Sequence, residues 1–193
     1  MIVIVLPDIP TEDRLLERAR RGERDAITHI YESYFEPIYQ FIRLRVDDAP
    51  LAEDLTGDVF VKLVDALRGR NAPRHSLRGW LFRVARNAIH DHYGKQQRIS
   101  TVALEEWLPA PSGDDPEARA IRALDAAQVR HALRALADDQ QEVLILRFGQ
   151  RLSLEETADI MGRQVGAIKS LQFRATTNLR KRLSRLATEA GDG

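Results

Sequence analysis

The chain has 193 residues, 44% of them apolar and 30% charged, with 29 basic and 29 acidic side chains and no cysteine. That composition belongs to a charge-rich, soluble, helical protein of one large or two small domains, not to a disordered chain. The lack of cysteine excludes disulfides and thiolate metal sites and fits a reducing, cytoplasmic setting. Neutrality hides strong segregation: residues 32–65 carry eight acids against three bases, 66–98 eight bases against Asp91 alone, and 99–139 eight acids against four arginines. Blocks of alternating sign on one chain point to several binding faces of opposite preference.

The start, MIVIVLP, is apolar but lacks a basic flank and is too short for a signal peptide or a membrane span. Residues 1–10 therefore read as a loose arm, a strand-like contact or an artefact of start-site choice. Residues 11–21 predict a short helix stopped by Gly22. A second helix follows over 25–46, where Ile27, Ile30, Tyr31, Tyr34, Phe35, Ile38, Phe41 and Ile42 mostly share a broad stripe. Pro37 is expected to kink it or to break it near Phe35 and Glu36. Its aromatics read as core rather than ligand contacts.

Residues 51–67 repeat the pattern with Leu51, Leu55, Val59, Leu63 and Leu67. Glu53, Asp54 and Asp58 lie near the helix N-terminus, where the macrodipole already accounts for acids. Phe60, Val61 and Lys62 are left as an exposed neighbourhood for a partner. Arg68 to His75, RGRNAPRH, is the clearest loop of this half. The helix beginning beside Ser76 has Trp80, Leu81, Val84, Ala85 and Ile89 as its expected inner face, with Arg78, Arg83, Arg86, Asn87, His90 and Tyr93 elsewhere. An arginine-rich loop leading into a helix of bases, amides and aromatics suits single-stranded nucleic acid, since arginine tracks phosphate and an aromatic face holds an unstacked base. A basic surface helix with a core tryptophan reads the local sequence equally well.

Residues 99–124, with three prolines, Gly113 and a surplus of acids, form an acidic linker and the domain boundary. Beyond it, 123–137 predicts one helix, and Asp138 and Asp139 offer an N-cap for the next, QEVLILRFGQ. Ser153 and Glu156 have capping-box spacing. Ala158, Met161, Ile168 and Leu171 fall where a helix-turn-helix needs packing residues, and Gly162 suits a left-handed helix end. The second helix of the pair carries Ile168, Leu171, Ala175, Leu179, Leu183 and Leu186 as one continuous buried stripe. From Arg163 to Leu186 there are seven bases and no acid. A helix packed on one face and basic elsewhere suits a polyanion. Residues from Ala187 onward are expected to fray.

Chemistry for catalysis is absent from the pattern: there is no glycine-rich phosphate loop, no HExxH and no nucleophile elbow. His90 and His92, two apart on a helix, point in different directions and make a poor metal pair. No enzyme activity, metal or cofactor is expected.

The strings AEDLTGDVFVKL (52–63), WLFRVARNAIHDH (80–92), LADDQQEVLILRF (136–148) and SLEETADIMGRQVGAIKSLQFRA (153–175), in this order, resemble the extracytoplasmic-function (group IV) sigma factors of bacterial RNA polymerase. With the opening LLERARRGERDAITHIYESY they cover most of 11–186. The resemblance implies an all-α fold of two small helical domains: sigma region 2 over 11–98 and sigma region 4 over 125–187, joined by the linker and followed by a tail at 188–193. It implies a dissociable subunit that docks on core polymerase, at the clamp helices of the largest subunit and the flap of the second-largest, and recognises promoter DNA. Glu53, Asp54, Leu55, Asp58 and Phe60 would meet the clamp helices. Arg68, Arg70, Asn71, Arg74, His75, Arg78, Trp80, Arg83, Arg86, Asn87 and His90 would melt and read the minus-ten element. Arg163, Lys169, Ser170, Gln172, Phe173 and Arg174 would meet the minus-thirty-five element. An anti-sigma factor is a further implied partner, and no membrane insertion is expected.

Departures from the family's commoner pattern are Leu171-Gln172 in place of an Arg-Leu pair, Phe173 in place of a frequent His, and Thr157 and Arg163 where apolar residues are usual. Gln172 would either read adenine by a bidentate bond or face solvent. The rival readings are a helix-turn-helix regulator that binds a palindrome as a dimer without polymerase, and a protein that binds polymerase without initiating.

Overall fold

The computed structural model describes residues 6, 9–46, 48–69, 72–73, 76–95 and 128–191. The described residues are all helix, turn or irregular backbone and fall in two compact units.

The first unit has four helices: α1 (Ile9–Arg20), α2 (Arg24–Arg43), α3 (Ala49–Arg68) and α4 (Leu77–Lys95). Helix α2 packs against each of the other three. Its apolar stripe explains why: Ala26, Ile30, Tyr34, Ile38, Phe41 and Ile42 are all buried, at the three- and four-residue spacing that lines one broad helical face. The Gly22 stop predicted from sequence is real, with φ +82° at that residue. Arg18 braces the turn by donating to Glu23 (2.7 Å) and to Asp25. Both carboxylates are held below their ordinary range, first by the hydrogen bond from Arg18.

Of the two expectations at Pro37, a kink or a break, the break does not occur. Helix α2 runs through it to Arg43, and Pro37 itself is buried in the bundle. One missing backbone hydrogen bond is outweighed by a stripe that continues on both sides of it. Helix α3 starts earlier than the pattern suggests, because Asp48 accepts from the Leu51 amide at 2.7 Å and Pro50 sits in the first turn. On α4 the inner face is Leu77, Leu81, Phe82, Ala85, Ala88 and Ile89. Trp80 and Val84 are only half-buried, and Phe82 replaces them by meeting Phe41 edge-on at 5.4 Å.

In the C-terminal part of the chain residues 128–134 are helical (α5), followed by α6 (Asp138–Leu144), a π turn (Ile145–Gly149), α7 (Leu154–Met161) and α8 (Val165–Gly191). The α6 cap is Ala137, which has no side-chain cap bond, so Asp138 and Asp139 act from the first turn instead. Helix α6 packs on α8. The capping box at α7 closes in both directions: the Ser153 amide donates to Glu156 at 2.7 Å, and the Glu156 amide donates to the Ser153 hydroxyl at 3.0 Å. Gly162 has φ +63° and ends the helix as expected. Along α8, Ile168, Leu171 and Ala175 are buried, but Leu179, Leu183 and Leu186 are half-buried, so the continuous stripe holds only over the first three turns.

Candidate nucleic-acid and partner surfaces

On α8 the exposed residues Lys169, Ser170, Phe173 and Arg174 recur at the spacings that place them on one face. Ile168, Leu171 and Ala175 hold the opposite face in the unit, so the helix is anchored by one side and open on the other. Phe173 is 74% exposed, the most exposed large apolar side chain among the described residues. An open face with an ammonium, a guanidinium, a hydroxyl and an aromatic ring supplies phosphate contacts, donors for base edges and an apolar surface for a thymine methyl.

The other two residues expected there behave differently. Gln172 is half-buried, and its Oε1 accepts from Arg147 Nε at 3.0 Å, so its amide is engaged within the protein and turned from the open face. Neither alternative read from sequence describes it: Gln172 is turned toward Arg147, whose other nitrogen donates to the Leu152 carbonyl. Arg163 is exposed but paired with Asp139 across the turn. Its partner lies 24 positions earlier, out of reach of a local reading.

On α4, Trp80, Arg83, Asn87 and His90 follow one another at i, i+3, i+7 and i+10 and share a face, with Trp80 half-buried and the other three exposed. Arg68, at the end of α3, is exposed, and Arg86 is half-buried. Arg70, Asn71, Arg74 and His75 lie outside the described residues. Arg78 does not belong to this surface. Its Nε donates to Glu12 at 2.6 Å and its amide donates to the same carboxylate at 3.1 Å, while Tyr34 donates to it at 2.7 Å. The Arg78 side chain is 13% exposed and that of Glu12 2%. Burial, with the Glu12 carboxylate beside it, pushes the Tyr34 phenol well above its ordinary range. Arg78 is thus the buried partner of an acid on α1, tying α1, α2 and the start of α4 together. Ser76 adds a second hold, its hydroxyl accepting from the Gly79 amide at 3.0 Å. A Cβ on Gly79 would lie 2.9 Å from that oxygen, which is why glycine stands there.

On α3, Glu53, Asp54 and Asp58 are exposed as expected. Leu55 and Phe60 are buried, at 9% and 7% exposure. Phe60 packs beneath α2, with its ring 4.9 Å from that of Tyr31 and 6.2 Å from that of Phe35. The apolar groups offered to a partner beside the acids are Val61 and Tyr31, 60% and 45% exposed. Val61 was legible, being three and seven positions from Asp58 and Asp54; Tyr31 was hidden within an aromatic-rich stripe.

Residues 30–99 match the Sigma-70 region 2 family and residues 132–181 match Sigma-70, region 4. The chain is 30% identical over 171 residues to the RNA polymerase sigma factor YlaC of Bacillus subtilis, covering 86% of this chain and 96% of YlaC. The chain belongs to the sigma-70 family of RNA polymerase sigma factors. Within that family its extracytoplasmic-function character is carried by 30% identity over 168 residues to the ECF RNA polymerase sigma factor SigX of Bacillus subtilis, covering 84% of this chain and 86% of SigX; the chain is also 36% identical over 170 residues to the ECF RNA polymerase sigma factor BldN of Streptomyces coelicolor, a match spanning 88% of this chain and 64% of BldN. Among solved structures it resembles the sigma factor RpoE of Bartonella quintana, in complex with the anti-sigma factor NepR, at 26% identity and a TM-score of 0.67, over 81% of this chain and 96% of RpoE. Seen as a sigma factor, the unit of α1–α4 contains most of the region 2 match, and the region 4 match spans α5 to the middle of α8.

Among the described residues no group of three or more histidines or acids is placed to hold a metal ion. No described helix is long and apolar enough to cross a membrane.

Proposed function

We propose that this sigma factor is a dissociable specificity subunit that binds core RNA polymerase and directs initiation at promoters with a minus-ten and a minus-thirty-five element. The observation that carries the reading is the presence of region 2 and region 4, in order, on one chain whose α8 leaves Lys169, Ser170, Phe173 and Arg174 open on one face. We assign residues 11–98 to region 2, 125–187 to region 4 and 99–124 to the linker between them.

In this reading the exposed acids Glu53, Asp54 and Asp58, with Tyr31 and Val61, meet the clamp helices of the largest subunit. The face of Trp80, Arg83, Asn87 and His90, with Arg68 and the loop after it, takes the minus-ten strand. Stacking a base on an aromatic side chain is worth about 1–3 kcal/mol, which offsets part of the few kcal/mol that unstacking costs. The α8 face enters the major groove, where a good bidentate contact discriminates by about 1–3 kcal/mol. A formal net charge of zero makes the free chain a weak DNA binder, and docking turns its acidic face to protein and its basic faces to the promoter. The protein works in the cytoplasm, contributes no covalent chemistry of its own, and is restrained by an anti-sigma partner.

Arg174→Ala and Asp54→Ala test this as a pair, by core affinity (fluorescence anisotropy) and promoter-dependent abortive initiation. Arg174→Ala lowers initiation and leaves core affinity intact; Asp54→Ala lowers core affinity first. Equal loss of both activities in both variants would refute the division of labour.

A further inference from the structure

Two non-glycine residues among those described have positive φ: Ser76 at 45° and Arg151 at 54°. For Ser76 the fold supplies a reason, since its hydroxyl receives the Gly79 amide and caps α4. Arg151 has no such internal compensation. It is exposed, and its side chain makes no hydrogen bond or ion pair with any described residue. Left-handed backbone brings a Cβ too close to the following carbonyl oxygen, and glycine or asparagine fills it at less cost.

The segment carrying Arg151 is fixed against the recognition helix. Arg147 donates to the Leu152 carbonyl on one side and to Gln172 Oε1 at 3.0 Å on the other, so one guanidinium fastens the residue after Arg151 to the middle of α8. Gln172 is the neighbour of Phe173 and lies two positions from Ser170 and Arg174, the open face. The π turn that precedes it leaves Phe148 58% exposed in the same segment. Arg151, unpaired among the described residues, thus immediately precedes a residue that Arg147 fastens to Gln172 of α8, on backbone that its own side chain does nothing to stabilise.

We propose that Arg151 is a phosphate-contacting residue of region 4, which grips the DNA backbone flanking the minus-thirty-five element and positions α8 without reading a base. The inference rests on the sigma reading above. It explains the charge: a backbone position that favours glycine carries arginine because the contact is with the promoter and not within the protein. It also makes Gln172 a positioning residue, acting through Arg147 rather than on DNA.

The test uses the full chain on core polymerase, with a duplex promoter fragment selected on the wild-type protein, over a salt series. Arg151→Gly and Arg151→Asn both accept left-handed backbone and remove the charge; Arg151→Lys keeps the charge. Both neutral variants are expected to be at least as heat-stable as wild type. Their promoter affinity falls about 10-fold, equally for all minus-thirty-five sequences, and the log-log salt slope drops by about one. Arg151→Lys stays close to wild type. Unchanged affinity and salt slope in Arg151→Gly overturn the assignment, as does a loss that depends on the minus-thirty-five sequence. The two possible failures differ in kind. A wild-type chain that directs no initiation refutes the sigma reading and this inference with it, whereas normal wild-type initiation with Arg151→Gly unaltered refutes Arg151 alone.

Discussion

Replacing Glu12 by alanine is the most informative perturbation of the region 2 unit. The carboxylate is 2% exposed and accepts three hydrogen bonds, from Tyr34 (2.7 Å), Arg78 Nε (2.6 Å) and the Arg78 amide (3.1 Å). Removing it takes the Glu12 carboxylate away from a guanidinium only 13% exposed and from the amide at the start of α4. Breaking a buried pair from one side typically costs about 3–5 kcal/mol. The residual access of Arg78 to water places this case at the lower end, about 3 kcal/mol. Tyr34→Phe, which deletes one neutral-to-charged bond, should cost about 1.5 kcal/mol, and the two losses should fall short of adding because they share the carboxylate. For a unit of this size 1 kcal/mol corresponds to roughly 4–8 °C, so Glu12→Ala should melt more than 10 °C early. The chain has two tryptophans, Trp80 and Trp107. A Trp107→Phe background therefore makes Trp80 fluorescence, followed in urea, a reporter of the region 2 unit alone. A Glu12→Ala change within 0.5 kcal/mol of wild type, the usual range for a surface site, would refute the buried clamp.

Other consequences follow from the same geometry. Because the buried Tyr34 phenol is raised above its unfolded value, the stability it contributes is complete below about pH 10 and declines as pH rises above that point; Tyr34→Phe should flatten the alkaline limb of the region 2 unit's stability curve, and an identical limb in both proteins would contradict this. Gly57 lies within α3 with nothing within 4 Å of a Cβ built on it. Gly57→Ala should therefore stabilise the unit by about 0.5–1 kcal/mol, read as a higher urea midpoint at constant slope, and a decrease would show hidden crowding. Gln172→Ala should weaken minus-thirty-five binding while leaving base preference at every position as in wild type; a preference altered at a single base pair would show that Gln172 reads DNA after all.

How much of this was legible in the sequence follows from how far apart the interacting residues lie. Ser153 and Glu156 are three positions apart, so spacing alone named a capping box that the structure closes in both directions. Gly22 and Gly162 were likewise readable as helix ends, since only the local backbone is involved. Arg78 was grouped with the basic surface because its acid partner stands 66 positions away on α1. Gln172 was left between two roles for the same reason, its partner Arg147 being 25 positions distant. Phe60 lies off the stripe of Leu55, Val59 and Leu63 and so read as exposed, yet Tyr31 and Phe35 on α2 cover it. Pro37 shows the opposite case: the break that a local rule allows was overridden by the burial of residues on both sides of it. Arg151 had no signal at all in a sequence pattern, because its interest lies in a backbone angle.

The central claim is that one chain brings promoter choice to a polymerase that lacks it. Transcription reconstituted with bacterial core polymerase on a library of promoter sequences and spacer lengths, with and without the purified chain, addresses it directly. The account predicts initiation only when the chain is added, at a two-part motif with a defined spacer, weakened by Arg174→Ala. Binding of the chain to core without transcripts from any member of the library, or retention of library DNA by the chain in the absence of core, would contradict it.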